Sequence, residues 1–208
     1  MQMRFCKLFK RFNQKISDPD PMKYLIVGLG NIGEEYVDTR HNIGFTIVDQ
    51  IVDKFGAKWE TETLGQLASI KSKGRTYYLL KPSTYMNRSG KAVRHWMTKL
   101  KIKINNVLIV TDDKNLPFGK QRMRGKGSDG GHNGLKDIQQ MLATSQYPRL
   151  RFGIGSEFHC GQQVDFVLGK WTQEEMDVLP KFIEYASETI LAFGFLGLSR
   201  AMNQYNRK

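Results

Sequence analysis

Two short apolar runs constrain this chain more than any other feature in it. Lys23-Tyr24-Leu25-Ile26-Val27 stops at Gly28, and Val107-Leu108-Ile109-Val110-Thr111 stops at Asp112-Asp113. Runs of this length, without polar alternation, predict buried strands. Between them the pattern changes period. Phe45, Val48, Ile51, Val52 and Phe55 recur at helical spacing, Asn42 stands in the capping position, and Gly56 ends the segment. Strands over about 64–72 and 75–81 meet at Lys73-Gly74, a hairpin signal. A helix is predicted from Ser89 to Lys101, a half-exposed strand over 118–124, a helix from Leu135 to Leu142, and a strand from Leu150 to Ile154. Thr172-Gln173-Glu174-Glu175 is a capping box that opens a long helix to about residue 196. Strands alternating with helices over 208 residues make a single-domain α/β sandwich.

No apolar run approaches the ~20 residues of a membrane span. The formal net charge of +12 favours an anionic partner, of which nucleic acid is the commonest. Cys6 and Cys160 are too far apart and too few for a disulfide framework or a zinc site, and they suit a reducing cytoplasm. Residues 1–21 stand apart as a basic extension. Arg4, Lys7, Lys10, Arg11 and Lys15 precede the first acid, Asp18, and Asp18-Pro19-Asp20-Pro21 reads as a linker to the domain over 22–208. The extension lacks the continuous apolar stretch of a secretory signal. Met22 is an alternative start.

Gly28-Leu29-Gly30-Asn31-Ile32-Gly33 matches the dinucleotide pattern G-x-G-x-x-G, which alone is a weak signal. Glu34 and Glu35 follow where a pyrophosphate would sit, and Asp49 and Asp53 fall inside a predicted helix rather than at a strand end. The turn survives this test and the cofactor does not.

Asn and His recur in Gly-punctuated loops: Asn31, then His41-Asn42, Asn87 and His132-Asn133. Buried amides are costly without partners, so loops of this kind belong where something binds. His41 is the natural proton handler, because imidazole titrates near neutrality. Asp112, at the carboxyl end of a buried strand, is placed to orient it. With no G-x-S-x-G elbow and no cysteine in a motif, water is the expected nucleophile. The asparagines would hold it or supply donors to an oxyanion. Each alone is equally well read as a turn or cap residue. Lys114, Lys120, Arg122, Arg124 and Lys126 form an acid-free basic segment, and Arg149 and Arg151 repeat the alternate spacing. Such cations suit phosphates. Tyr36 and Tyr85 are candidate stacking platforms.

At these residues the chain closely resembles the bacterial-type peptidyl-tRNA hydrolases, from about Met22 to Asn206. The resemblance runs through GLGN at 28–31, TRHNIGF at 39–45, KPSTYMNRSG at 81–90, the pair Asp112-Asp113, GGHNGLKDI at 130–138, RLRFGIG at 149–155 and AMNQYN at 201–206. It implies a twisted mixed sheet flanked by helices and hydrolysis of the ester between a peptide and the 3′ ribose of tRNA. It implies a monomer without metal or cofactor, which together with the cysteine usage and the short apolar runs gives the expectation of a cytoplasmic protein acting away from membranes. By the same resemblance His41 is the catalytic histidine, Asp112 its orienting aspartate, and Asn31, Asn87 and Asn133 position water and substrate. Met86 would wall a peptide channel, Tyr36 would be the stacking tyrosine, and Arg122, Arg124 and Arg151 would contact tRNA; Tyr85 and His132, in the neighbouring loops, are read as further substrate-binding residues. The chain departs from the family at Ile32, at Lys114-Asn115, where an apolar-acidic pair is usual, and at Asp129, which brings a negative charge near the basic face. Residues 156–170 read as a lid-like segment.

Two rivals remain at this point, an RNA-binding protein without catalysis and a nucleotide-dependent oxidoreductase. Removal of residues 1–21 is expected to leave turnover largely intact in a hydrolysis assay; a large loss would make the extension part of the machinery.

Overall fold

The computed structural model describes residues 20–157 and 161–206. Cys6, Cys160 and most of the basic extension lie outside them. The described chain forms one seven-stranded mixed sheet in the order β2-β3-β4-β1-β5-β7-β6. Strand β1 (Lys23–Gly28) lies at its centre, parallel to both β4 (Arg75–Pro82) and β5 (Val107–Asp113). β7 (Arg149–Gly153) continues the parallel set beside β5. Antiparallel strands close both sides: β2 (Glu60–Glu62) and β3 (Gly65–Ser72) at one end, β6 (Gln121–Arg124) at the other.

The unbroken apolar runs are explained by cover on both faces. Ile26, Leu108 and Val110 pack into a core shared with α1 (Ile43–Lys54) and α5 (Gln173–Leu196). Their neighbours Leu25, Val27, Val107 and Ile109 point the other way, into a core with α2 (Ser89–Lys99) and α3 (Asn133–Leu142). Each such side chain, fully removed from water, contributes about 1.5–3 kcal/mol before entropy is counted. A short helix α4 (Gln163–Leu168) and a last helix α6 (Leu198–Tyr205) complete the described elements.

Several sequence expectations change in detail. The strand expected over 118–124 is only Gln121–Arg124, because Pro117-Phe118-Gly119-Lys120 makes a turn. The helix from Ser89 ends at Lys99, and Lys101 is left-handed at φ 54°. The sequence pattern does not announce α6; Gly197, at φ 79°, separates it from α5. Phe55 is 38% exposed just past the end of α1 rather than in the core. Asn42 holds the cap position of α1, but its side chain does not cap the helix. It clasps the backbone of Asn31 instead, accepting from the Asn31 N–H at 2.8 Å and donating to the Asn31 carbonyl at 3.0 Å. Asn206 treats the edge strand in the same way, bonding the N–H and carbonyl of Met123 in β6. Gly33 opens only the 3-10 turn Glu34–Tyr36, so no helix starts where a dinucleotide fold would need one.

The start of α1 is pressed against the sheet through two glycines. A Cβ on Gly44 would sit 2.5 Å from both the N and O of Leu29 and 2.7 Å from the Val110 carbonyl, while one on Gly28 would sit 2.2 Å from the Gly44 carbonyl. Helix propensity favours Ala over Gly by ~1 kcal/mol. Overpacking against backbone costs ~1–3 kcal/mol or more, because backbone cannot swing aside as a side chain can. Gly44→Ala is therefore expected to destabilise the chain by ~2 kcal/mol in urea unfolding. A stabilised variant would contradict the close approach.

Candidate active site

The carboxyl ends of the parallel strands converge on one cleft of about 400 Å³. Crevices of open α/β sheets form there. Asn31 follows β1, Tyr85, Met86 and Asn87 follow β4, Asp112 ends β5, and Arg151 lies on β7. His41 belongs to the 3-10 turn Arg40–Asn42, which leads directly into α1. Because α1 is pulled in by Gly28 and Gly44, the preceding turn carries His41 to the end of β5.

Asp112 is 5% exposed and accepts from two imidazoles. His41 Nδ1 and His132 Nε2 both lie 2.9 Å from its Oδ1. Burial alone would push this carboxyl up, but the charge and hydrogen bonds of the two histidines outweigh it and hold it well below the ordinary carboxylate range. Burial alone would likewise lower the pKa of His41, and the Asp112 charge and hydrogen bond reverse that and raise it above 6.5. With Nδ1 engaged by Asp112, Nε2 of His41 is the nitrogen left for chemistry.

The sequence places His132 among the substrate contacts, and the structure gives it a different set of partners. Its Nδ1 accepts from the backbone N–H groups of Gly134 and Leu135, at 3.1 and 3.3 Å, capping α3. A nitrogen that accepts carries no proton, so the Nε2 bears it and donates toward Asp112 and toward Thr111 Oγ1 at 2.7 Å. The Thr111 hydroxyl in turn donates to the Asp112 carbonyl. His41, Asp112 and His132 lie close enough to offer three ligand atoms to a metal ion. The cap argues against that use, since a protonated Nε2 has no lone pair to give.

The three asparagines differ. Asn31 Oδ1 accepts the Met86 N–H at 2.8 Å, which ties the loop after β1 to the loop after β4 and leaves its amide NH₂ as the group to offer. Asn87 and Asn133 are exposed in the cleft, and their side chains have no hydrogen-bond partner among the described residues. Met86 is 4% exposed, mostly core, and presents only an edge to the cleft. Tyr85 is 58% exposed at the rim.

Tyr36, Arg122 and Arg124 lie outside the cleft lining. Arg122 and Arg124 sit on one face of β6, opposite Arg151 and Arg149 across the strand pair, without ion-pair partners among the described residues. Arg151 is tied through Nε to Asp113 Oδ2 at 2.6 Å and remains partly exposed. Arg149, which the spacing puts among phosphate forks, is 1% exposed. It spends its guanidinium on the Ser128 and Ser145 carbonyls and on the Tyr147 ring, so it is a strut of the core. Asp129 also lines the cleft, with Oδ1 accepting the Gly131 N–H in its own turn. The charge expected to weaken the basic face therefore also serves to shape the Gly130-Gly131 loop.

The outer wall of the cleft is α4, through Gln163, Val164, Val167 and Leu168, within the segment read as lid-like. What anchors it is Arg40, a residue that sequence reasoning misses because a lone arginine beside a histidine has no distinguishing pattern. Arg40 is 6% exposed, its Nη1 lies 2.7 Å from both carboxylate oxygens of Glu175, and its guanidinium stacks between Phe166 of α4 and Trp171. Its backbone N–H donates to the Gly169 carbonyl. Glu175 belongs to the capping box of α5, so one side chain links the turn of His41, the wall α4 and the start of α5.

The family model described as peptidyl-tRNA hydrolase matches residues 25–208. The peptidyl-tRNA hydrolase of Cytophaga hutchinsonii is 51% identical over 187 residues, 90% of this chain and 100% of that protein. That of Phocaeicola vulgatus is 54% identical over the same share of each. The crystal structure of peptidyl-tRNA hydrolase from Acinetobacter baumannii superposes with a TM-score of 0.83 at 36% identity, covering 89% of this chain and 95% of that one.

The geometry makes one direct demand on solution behaviour. His41 is expected to titrate above 6.5 by NMR, and in Asp112→Asn below it, because burial stays while the compensating charge goes. An unmoved titration in that variant would break the link.

Proposed function

The chain belongs to the peptidyl-tRNA hydrolase family, and on that premise we propose that it cleaves the ester between a peptide and the 3′ ribose of tRNA with His41 as general base. The observation that carries the reading is the hydrogen bond from His41 to a buried, doubly held Asp112. A water between His41 Nε2 and the Asn31 amide attacks the ester carbonyl. His41 takes the proton, and Asp112 stabilises the imidazolium so formed. Asn87 and Asn133, unpartnered among the described residues, bind the peptide backbone and donate to the oxyanion. Collapse of the tetrahedral intermediate returns the proton from His41 to the ribose oxygen, releasing tRNA and a peptide acid. His132, donating to the same carboxylate, keeps Asp112 turned toward His41.

The peptide follows the cleft past Tyr85, Met86 and α4. The RNA extends toward Arg151, half-buried Arg122 and exposed Arg124, with Tyr36 and Tyr85 offering rings near the nucleoside end. The enzyme works as a cytoplasmic monomer and needs neither metal nor cofactor. No helix among the described residues is long and apolar enough to cross a membrane. A raised His41 pKa means that the base is protonated, and idle, at acidic pH, so the rate should climb as pH passes that value.

Loss of a general base costs ~10²–10⁴ in rate. His41→Ala should fall by that order in release of free tRNA from N-acetyl-aminoacyl-tRNA while still binding tRNA; near-normal turnover would sink the assignment. Replacing Arg122 and Arg124 should weaken tRNA binding and flatten its salt dependence by about one unit of log slope for each phosphate no longer neutralised. An unchanged slope would put the RNA on another face.

A further inference from the structure

Lys114 is a cation of the cleft that has no ion-pair partner among the described residues. It follows Asp112-Asp113 at the end of β5, is half-buried, and lines the cleft. Among the described residues its ammonium has no carboxylate partner; it donates to Oε1 of Gln163 on α4, a neutral amide. The acids around it are committed. Asp112 holds two histidines, Asp113 holds Arg151 and the Asn115 N–H, and Asp129 holds the Gly131 N–H. A partly desolvated cation with only an amide for company gains when an anion arrives, because charge-assisted bonds are about twice as strong as neutral ones.

We propose that Lys114 forms a subsite for an acidic side chain of the peptide in the substrate. The proposal rests on the hydrolase reading above. A peptide carboxylate is favoured over an RNA phosphate on two grounds. Gln163 shares α4 with Val164, Val167 and Leu168, so on that side Lys114 borders an apolar wall suited to a peptide, while Arg151, the other cation of the cleft, is already paired with Asp113. The cations without ion-pair partners on β6, Arg122 and Arg124, lie outside this cleft. The carboxylate displaces the Gln163 amide from Lys114, and Gln163 then has its own amide N–H to offer the same group. At this position, just after the double aspartate, the chain departs from the apolar residue usual in the family it resembles.

The test uses two N-acetyl-dipeptidyl-tRNAs that differ only in Glu or Gln at the residue next to the esterified one. The wild-type ratio of kcat/KM, Glu over Gln, is expected to be on the order of fivefold, carried mainly by KM. Lys114→Leu should bring the ratio to one or below, and Lys114→Arg should keep it above one. An equal ratio in wild type and Lys114→Leu overturns the proposal. So does a Lys114→Leu variant that keeps the ratio but loses affinity for uncharged tRNA with a shallower salt slope, which assigns the cation to the RNA. Failure of the wild type to cleave either substrate is a different result, one that overturns the hydrolase reading beneath the proposal.

Discussion

A buried carboxylate that accepts from two imidazoles is the constraint around which this molecule is arranged. Asp112 is expensive to bury, and the structure meets that cost with His41 on one side and His132 on the other. Each histidine is held by a separate piece of the fold. His41 rides on the turn that opens α1, while His132 is locked as the cap of α3 by two backbone N–H groups. The sheet supplies the carboxylate and one helix from each face supplies an imidazole. Displacing either helix would leave a charge without compensation, so packing of the layers and chemistry of the site are one problem.

The loops around this triad are braced in a similar manner. Asn42 reproduces a strand partner for Asn31, and Asn31 in turn holds the Met86 N–H. The result is a chain of hydrogen bonds through side-chain amides linking the turn of His41 to the loops after β1 and β4. Asn31 itself lines the cleft, with its NH₂ not engaged by any hydrogen bond among the described residues. On the other flank Arg40 does comparable service with a charge and two rings, tying α4 to the same turn. The cleft therefore has a floor braced by hydrogen bonds to backbone and a wall that Arg40 ties to the turn of His41.

Asparagine serves two ends in this protein, and the distinction bears on how far such residues can be read. Asn42 and Asn206 satisfy backbone groups elsewhere in the chain, whereas Asn87 and Asn133 are left open in the cleft. In the sequence all four stand in loops or at helix ends with a Gly or aromatic residue within two positions. The same holds for arginine. Arg149 and Arg151 are two residues apart on one strand, yet the first is core and the second lines the cleft, because only Arg149 meets the carbonyls of the loop over 127–130 and the Ser145 turn.

The α/β layering was legible from the sequence, because an apolar run such as Leu25-Ile26-Val27 can be satisfied only where both faces of a strand are covered, and a 3.6-residue stripe only where one face is. His41, Asp112 and the asparagines could be proposed for a chemical reason: few side chains can move protons or hold an oxyanion, and these stood in loops or at the end of a predicted strand; the structure brings them to one cleft. Partnership was decided by the tertiary structure alone. That His132 caps a helix and holds Asp112, that Arg40 clamps a wall, that Arg149 is buried and that Lys114 meets only an amide all depend on contacts between residues distant in the chain. Local propensity carries no information about such contacts, since a side chain's role is set by what the fold brings within about 3 Å of it.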